Sequence, residues 1–219
     1  MNETRMEARM SMHIGIYLFD QIEALDFAGP YEVFTTASRV ACKRQPDLPV
    51  PFTVSAIAEG FSPVRARAGL QIVPDHNIDQ HPPVDVLVVP GGVVTAEMAK
   101  QPVTDWIART AATSQLTASV CTGAFLLAQA GVLRTQRCTT HWEDVADLQA
   151  QFPALQVLEG PRWVSEGGVV TSAGISAGID MSLHLVERLA GRELALATAR
   201  QMDYAWHEAL GHALGGAQA

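Results

Sequence analysis

The chain has 219 residues, 48% of them hydrophobic and 17% charged, with a formal net charge of −8. That length suits one domain with enough core to bury a two-faced sheet without disulfide or metal support. The apolar content excludes a disordered chain, and an acidic balance without a Lys/Arg run argues against nucleic acid as a partner.

Residues 1–12 alternate Glu, Arg and Met, lack the apolar stretch of a secretory signal, and read as a disordered leader. His13–Phe19 is an apolar run expected as a buried strand, followed by a helix opening at Gly29-Pro30 and running to about Val40. Phe52–Ala58 is the next strand, and Val64–Val73 carries a Gly69 turn that suits a hairpin. Val84–Val89 is the strongest strand signal and stops at Pro90-Gly91-Gly92. Helical pattern follows over Thr95–Ala99 and Val103–Ala112, then a strand over Leu116–Val120 and a small-residue helix over Thr122–Ala130 ended by Gly131. Glu143–Phe152 reads as an amphipathic helix. Short strands are expected at Val157–Leu158, Trp163–Val164 and Val169–Thr171, and helices at Ser176–Ala190 and Arg192–Tyr204, split at Gly191. Strands that are unbroken apolar runs, alternating with helices, predict an α/β fold with a mostly parallel sheet covered on both faces. The domain is expected over residues 13–204, with 205–219 as a C-terminal extension. No apolar stretch reaches the length of a membrane span.

Cys42, Cys121 and Cys138 show no CxxC spacing, and an odd count argues against a disulfide framework or zinc ribbon, so a reducing compartment such as the cytoplasm fits. His76/His81 and His207/His212 are spaced by five, which turns the pair apart on a helix, so no metal site is expected. No GxGxxG follows a strand, and no cofactor is expected.

Open α/β sheets gather their sites at the carboxyl ends of strands. The turns after Phe19, Val89 and Val120 should therefore converge, bringing together Asp26, Gly91-Gly92 and Cys121. Cys121, between a strand and a helix of small residues, has the setting of a nucleophile elbow. The helix start should lower its pKa. Asp26 precedes the expected cap position and is read as a proton carrier beside the thiol. Thr122 and Gly123 leave room for a substrate to approach, and Gly91-Gly92 is read either as a plain turn or as a source of backbone N–H groups for an anionic intermediate. His141 is read as a helix cap or a proton carrier, Trp142 as core or site support, and Asp180 as a support behind the site or a partner for a basic residue.

Five blocks in order, Leu25–Phe34, Val89–Gly92, Ser119–Ala124, Thr139–Trp142 and Thr171–Asp180, resemble the ThiJ/PfpI superfamily, which is class I glutamine-amidotransferase-like. Within it the chain is most similar to isonitrile hydratases and to the amidase-like sensor domain of AraC-type regulators. The resemblance implies a flavodoxin-like three-layer sandwich and a homodimer. It also implies Cys121 as nucleophile with Asp26 as acid/base, and hydration of isonitriles to N-substituted formamides through a cysteine thioimidate. The superfamily's proteases carry Cys-His at the elbow; here Thr122 stands in that place, and a hydroxyl is no base near neutral pH. The alternative is a stand-alone small-molecule or redox sensor, although the chain after Gly191 is too short for the regulators' DNA-binding units. A third reading is hydrolysis of another small carbon–nitrogen substrate such as an amide.

Overall fold

A computed structural model describes residues 11–214. The expected leader falls almost wholly outside the described residues. Its last residue, Met12, opens the first strand.

In chain order the main elements are β1 (Met12–Leu18), α1 (Ala24–Arg44), β2 (Phe52–Ala58), β3 (Val64–Arg65), β4 (Gln71–Ile72), β5 (His76–Asn77), β6 (Val86–Val89), α2 (Thr95–Met98) and α3 (Gln101–Thr113). They continue with β7 (Leu116–Val120), α4 (Gly123–Gln129), β8 (Arg137–Cys138), a 3-10 turn (Trp142–Asp144), α5 (Val145–Gln151) and β9 (Gln156–Val157). The chain closes with β10 (Trp163–Glu166), β11 (Val169–Ser172), α6 (Ala177–Ala190), α7 (Arg192–Gln201), a 3-10 turn (Glu208–Leu210) and β12 (Gly211–Leu214).

Eight strands form one sheet in the order β12-β10-β11-β7-β6-β1-β2-β5. All neighbours run parallel except β10 and β11. The register places Ile14 beside Val86 and Val86 beside Leu116, so the strongest apolar runs are the central strands. Side chains alternate across a strand. Ile14, Ile16, Val86, Val88 and Val120 therefore pack in one cluster, with residues of α1, α6 and α7. Tyr17, Leu87 and Val89 pack in the other, with α3 and α4. Both faces are buried, which is why these strands carry no in/out polarity pattern. The expected α/β sandwich with a mostly parallel sheet is the observed one. The β3–β4 hairpin around Gly69 is also present.

Two boundaries differ from the sequence reading. Helix α1 begins at Ala24, so Pro30 lies inside it and Asp26 sits in its first turn. Proline normally marks a helix start because it lacks an N–H and clashes one turn back, and that rule misplaced the boundary. The segment read as a plain C-terminal extension contributes β12, paired with β10 from Trp163↔Gly211 to Glu166↔Leu214. Among the described residues no helix is long and apolar enough to cross a membrane.

Candidate functional site

The adjacency of β1, β6 and β7 brings their carboxyl-end turns together. Ile22 bridges Gly92, and the Gly91 carbonyl accepts from the Glu23 amide at 2.9 Å. The elbow after β7 presses onto the turn after β6 so closely that a Cβ on Gly123 would lie 2.0 Å from the Val89 carbonyl oxygen. Only glycine fits there.

Cys121 occupies the elbow with φ of +55°. For a non-glycine residue this left-handed backbone costs on the order of 1–2 kcal/mol, and it persists only where neighbours enforce it. Two do so: the Cys121 amide donates to the Ser172 carbonyl at 3.1 Å, and the Thr140 hydroxyl donates to the Cys121 carbonyl at 2.9 Å. Thr140 and Ser172 hold the elbow, a role the sequence did not reveal, since neither residue type nor spacing says which hydroxyl or carbonyl meets a distant turn.

Asp26 is 0% exposed. One carboxyl oxygen, Oδ2, accepts from the Gly91 amide at 3.1 Å, while Oδ1 has no partner. Burial pushes its pKa up to about 7; Glu23 adds to the rise, and the Gly91 amide, the Cys121 thiol and Arg67 pull the other way. Asp26 and Cys121 are thus electrostatic neighbours, as the sequence suggested. The expected low thiol pKa is not what this setting gives. Burial and then the Asp26 charge push Cys121 up to about 12, against the Thr122 amide and side chain, with Asp144 adding to the rise. Helix α4 has seven residues and its start favours thiolate weakly; taking a charge out of water costs more. At rest the sulfur carries its proton.

The glycine pair also departs from expectation. The Gly91 amide is spent on Asp26, and the Gly92 amide donates to the Thr122 hydroxyl at 2.9 Å. That hydroxyl in turn donates to the Gly92 carbonyl at 2.9 Å. Neither amide is free to receive an oxyanion. Thr122 lines the cleft, but its oxygen is a staple between elbow and turn.

Cys121 is 8% exposed and forms part of the floor of a cleft of about 1010 Å³. Thr122, Phe125 and His141 line it too. His141 caps the 3-10 turn: its Nδ1 accepts from the Glu143 amide at 3.4 Å and lies 3.5 Å from Asp144 Oδ2. A Cβ on Gly174 would sit 2.0 Å from the His141 Cδ2, so that glycine seats the ring. Trp142 is 69% exposed and does not itself line the cleft, so it is not core; its ring lies 5.7 Å from that of His141, which does line the cleft. A turn one residue before a helix can point outward, and the apolar side chain alone did not show it.

Asp180 is buried away from the cleft. Its carboxylate pairs with Arg162 and accepts from the Tyr204 hydroxyl at 3.2 Å and the His207 amide at 2.9 Å. It is the basic-residue partner among the two roles considered, and it clamps the chain leading to β12. Asp180→Asn should cost about 2–3 kcal/mol in urea unfolding, because Arg162 would lose its counter-charge in a partly buried site. A cost below about 0.5 kcal/mol would show the clamp to be idle.

An elbow cysteine facing a buried acid at the carboxyl ends of a parallel sheet agrees with what sequence comparison finds. The family model described as DJ-1/PfpI matches residues 12–188. The chain belongs to the DJ-1/PfpI family. One relative is the isonitrile hydratase of Pseudomonas putida, 36% identical over 197 residues, covering 90% of this chain and 80% of that protein. Another is the HTH-type transcriptional regulator GbdR of Pseudomonas aeruginosa, 32% identical over 198 residues, covering 90% of this chain and 52% of that protein. Among solved structures, a ThiJ/PfpI family protein from Pseudomonas syringae superposes with a TM-score of 0.79 at 25% identity, over 92% of this chain and 78% of that one. DJ-1/PfpI membership and the flavodoxin-like sandwich are therefore established. The cleft is also lined by residues outside the motif blocks, Glu23, Arg67, Glu143, Asp144 and Asp147.

Proposed function

We propose that this DJ-1/PfpI protein hydrates isonitriles to N-substituted formamides, with Cys121 as nucleophile and Asp26 as its acid/base partner. The observation that carries the reading is the Asp26–Cys121 pair, in which burial raises both pKa values, so that the thiol is protonated and a substantial share of Asp26 is in its acid form near neutrality. An isonitrile carbon must gain a proton and a nucleophile at the same atom. The protonated Asp26 carboxyl gives its proton to that carbon as sulfur attacks, and the carboxylate so formed takes the thiol proton. R–N≡C and Cys–SH thus become R–N=CH–S–Cys, with Asp26 returned to its acid form. Water adds to this thioimidate, and collapse of the adduct expels the thiol and releases R–NH–CHO. One hard hydration is divided into two easier steps. The first addition generates no oxyanion, which suits a site whose glycine amides are already engaged. Amide hydrolysis needs such donors and a stronger base, and is disfavoured.

The hydratase relative supports this chemistry. The test is proton NMR of the protein with cyclohexyl isocyanide. A formyl resonance growing in proportion to protein is expected. Consumption no faster than in buffer would overturn the proposal.

A second reading, a small-molecule sensor in the same cleft, is favoured by the likeness to a transcriptional regulator. Ligands that raise Tm yet are never converted would support it. The homodimer implied by the family resemblance has an apolar groove available to it, lined by Leu25, Phe27, Tyr31, Ile72 and Val73. Light scattering reads it directly.

A further inference from the structure

The cleft beside Cys121 has walls of unlike chemistry. Val93, Val94, Met98 and Ala99 present apolar surface. Facing solvent along the turn and α5 stand Glu143, Asp144 and Asp147. Spacings of three and four place Asp147 on the same helical side as the other two. The cations that line the cleft do not balance this wall. Arg67 lies 3.4 Å from Glu23 and is matched there. His141 Nδ1 lies 3.5 Å from Asp144 and 3.7 Å from Glu143, so even a protonated ring offsets one of the three carboxylates and leaves two uncompensated. Asp144 is half-buried, and burial raises its pKa, with Asp147 and Glu143 adding to the rise against His141. Like charges are crowded at a surface that solvent alone neutralises. The wall and the elbow sulfur share one cavity, because Cys121 lines the same cleft as these three carboxylates.

We infer that the cleft selects isonitriles whose substituent carries a positive charge, an ammonium or quaternary ammonium group held along the Glu143–Asp147 wall. The inference rests on the hydratase reading of the same site. It adds a coupling between binding and chemistry. The Asp144 charge is one of the groups holding the proton on Cys121. A cation placed on the wall opposes that field and eases loss of the thiol proton during attack, and by linkage a more acidic thiol favours the cation. Apolar walls keep room for the rest of the substituent.

The experiment compares 2-(trimethylammonio)ethyl isocyanide with its uncharged isostere, 3,3-dimethylbutyl isocyanide. The two differ in charge and hardly in shape. In the full-length protein, kcat/KM should favour the cation by about tenfold at low salt. The ratio should shrink as salt is raised and approach one in the Glu143→Gln/Asp147→Asn double variant. A wild-type ratio at or below one overturns the inference and leaves the hydratase reading standing. Turnover of neither compound defeats the hydratase reading; calorimetric binding to Cys121→Ala then decides the charge preference. Tighter binding of the cation upholds it, and equal binding ends it.

Discussion

Replacing Cys121 by alanine should abolish formamide production, lowering kcat by about 10⁴-fold or more to the rate seen in buffer. No other group on the cleft floor can form the covalent bond: Thr122 is stapled to Gly92 through both its donor and acceptor. The variant should stay folded. Alanine takes up the φ of +55° no worse than cysteine does, and the elbow's tethers to Ser172 and Thr140 run through backbone atoms. Cys121→Ser should be as inactive, because a hydroxyl under the same burial and the same Asp26 charge ionises less readily than a thiol. Intact-mass spectrometry during turnover adds a second readout. Wild type should gain one isonitrile mass in the steady state and the alanine variant none. Alanine retaining more than a tenth of wild-type turnover would remove the thioimidate from the mechanism.

The central sheet was legible because β1, β6 and β7 are buried on both faces, and that demand leaves an unbroken Val/Leu run in β6 and short strands free of charged residues, made of apolar and small side chains, in β1 and β7. Once the strands were placed, the convergence of three carboxyl-end turns followed from sheet geometry, and Cys121 and Asp26 with it. Strand β12 was not legible, because Gly211 and His212 open a short edge strand with no run of apolar residues. The start of α1 was hidden by Pro30, which obeys its statistics at most helix starts and not at this one. The deeper miss was electrostatic. A helix start beside a cysteine says "acidic thiol", but the sign of the shift depends on burial and on the neighbouring carboxylate, which arise only when the chain is folded. The fate of the Gly91 and Gly92 amides is of the same kind. The dipeptide announces a tight turn, while the partners of its N–H groups, Asp26 and Thr122, come from two other turns.

Asp26→Asn should lower kcat by about 10³-fold, within the range of a lost general acid. It should also make the protein more stable at alkaline pH. Asparagine keeps an oxygen for the Gly91 amide and a similar volume, so geometry is preserved. The sign of the pH effect follows from burial. The folded-state pKa, about 7, lies above the ordinary carboxyl value of 3.8. Between those values the native state holds a proton that the unfolded chain has released, so wild-type stability falls as pH rises through this window. Three pKa units correspond to about 4 kcal/mol at most, all of it removed in the asparagine variant, whose stability should not decline between pH 4 and 7. Activity runs on the same titration: the acid form delivers the proton, so wild-type kcat/KM should fall tenfold per pH unit above about 7. Asp26→Glu, which restores the acid one methylene longer, should recover part of the rate with a displaced pH midpoint, whereas a purely structural Asp26 would respond only in stability. If asparagine turns over at wild-type rate, or if kcat/KM is flat from pH 6 to 9, proton transfer belongs to another group, and His141 across the cleft is the one to examine next. The two halves of the prediction are linked by a single cause. The carboxyl that costs stability when ionised is the one whose raised pKa lets it act as an acid near neutrality, so relieving the cost and losing the activity should occur in the same variant.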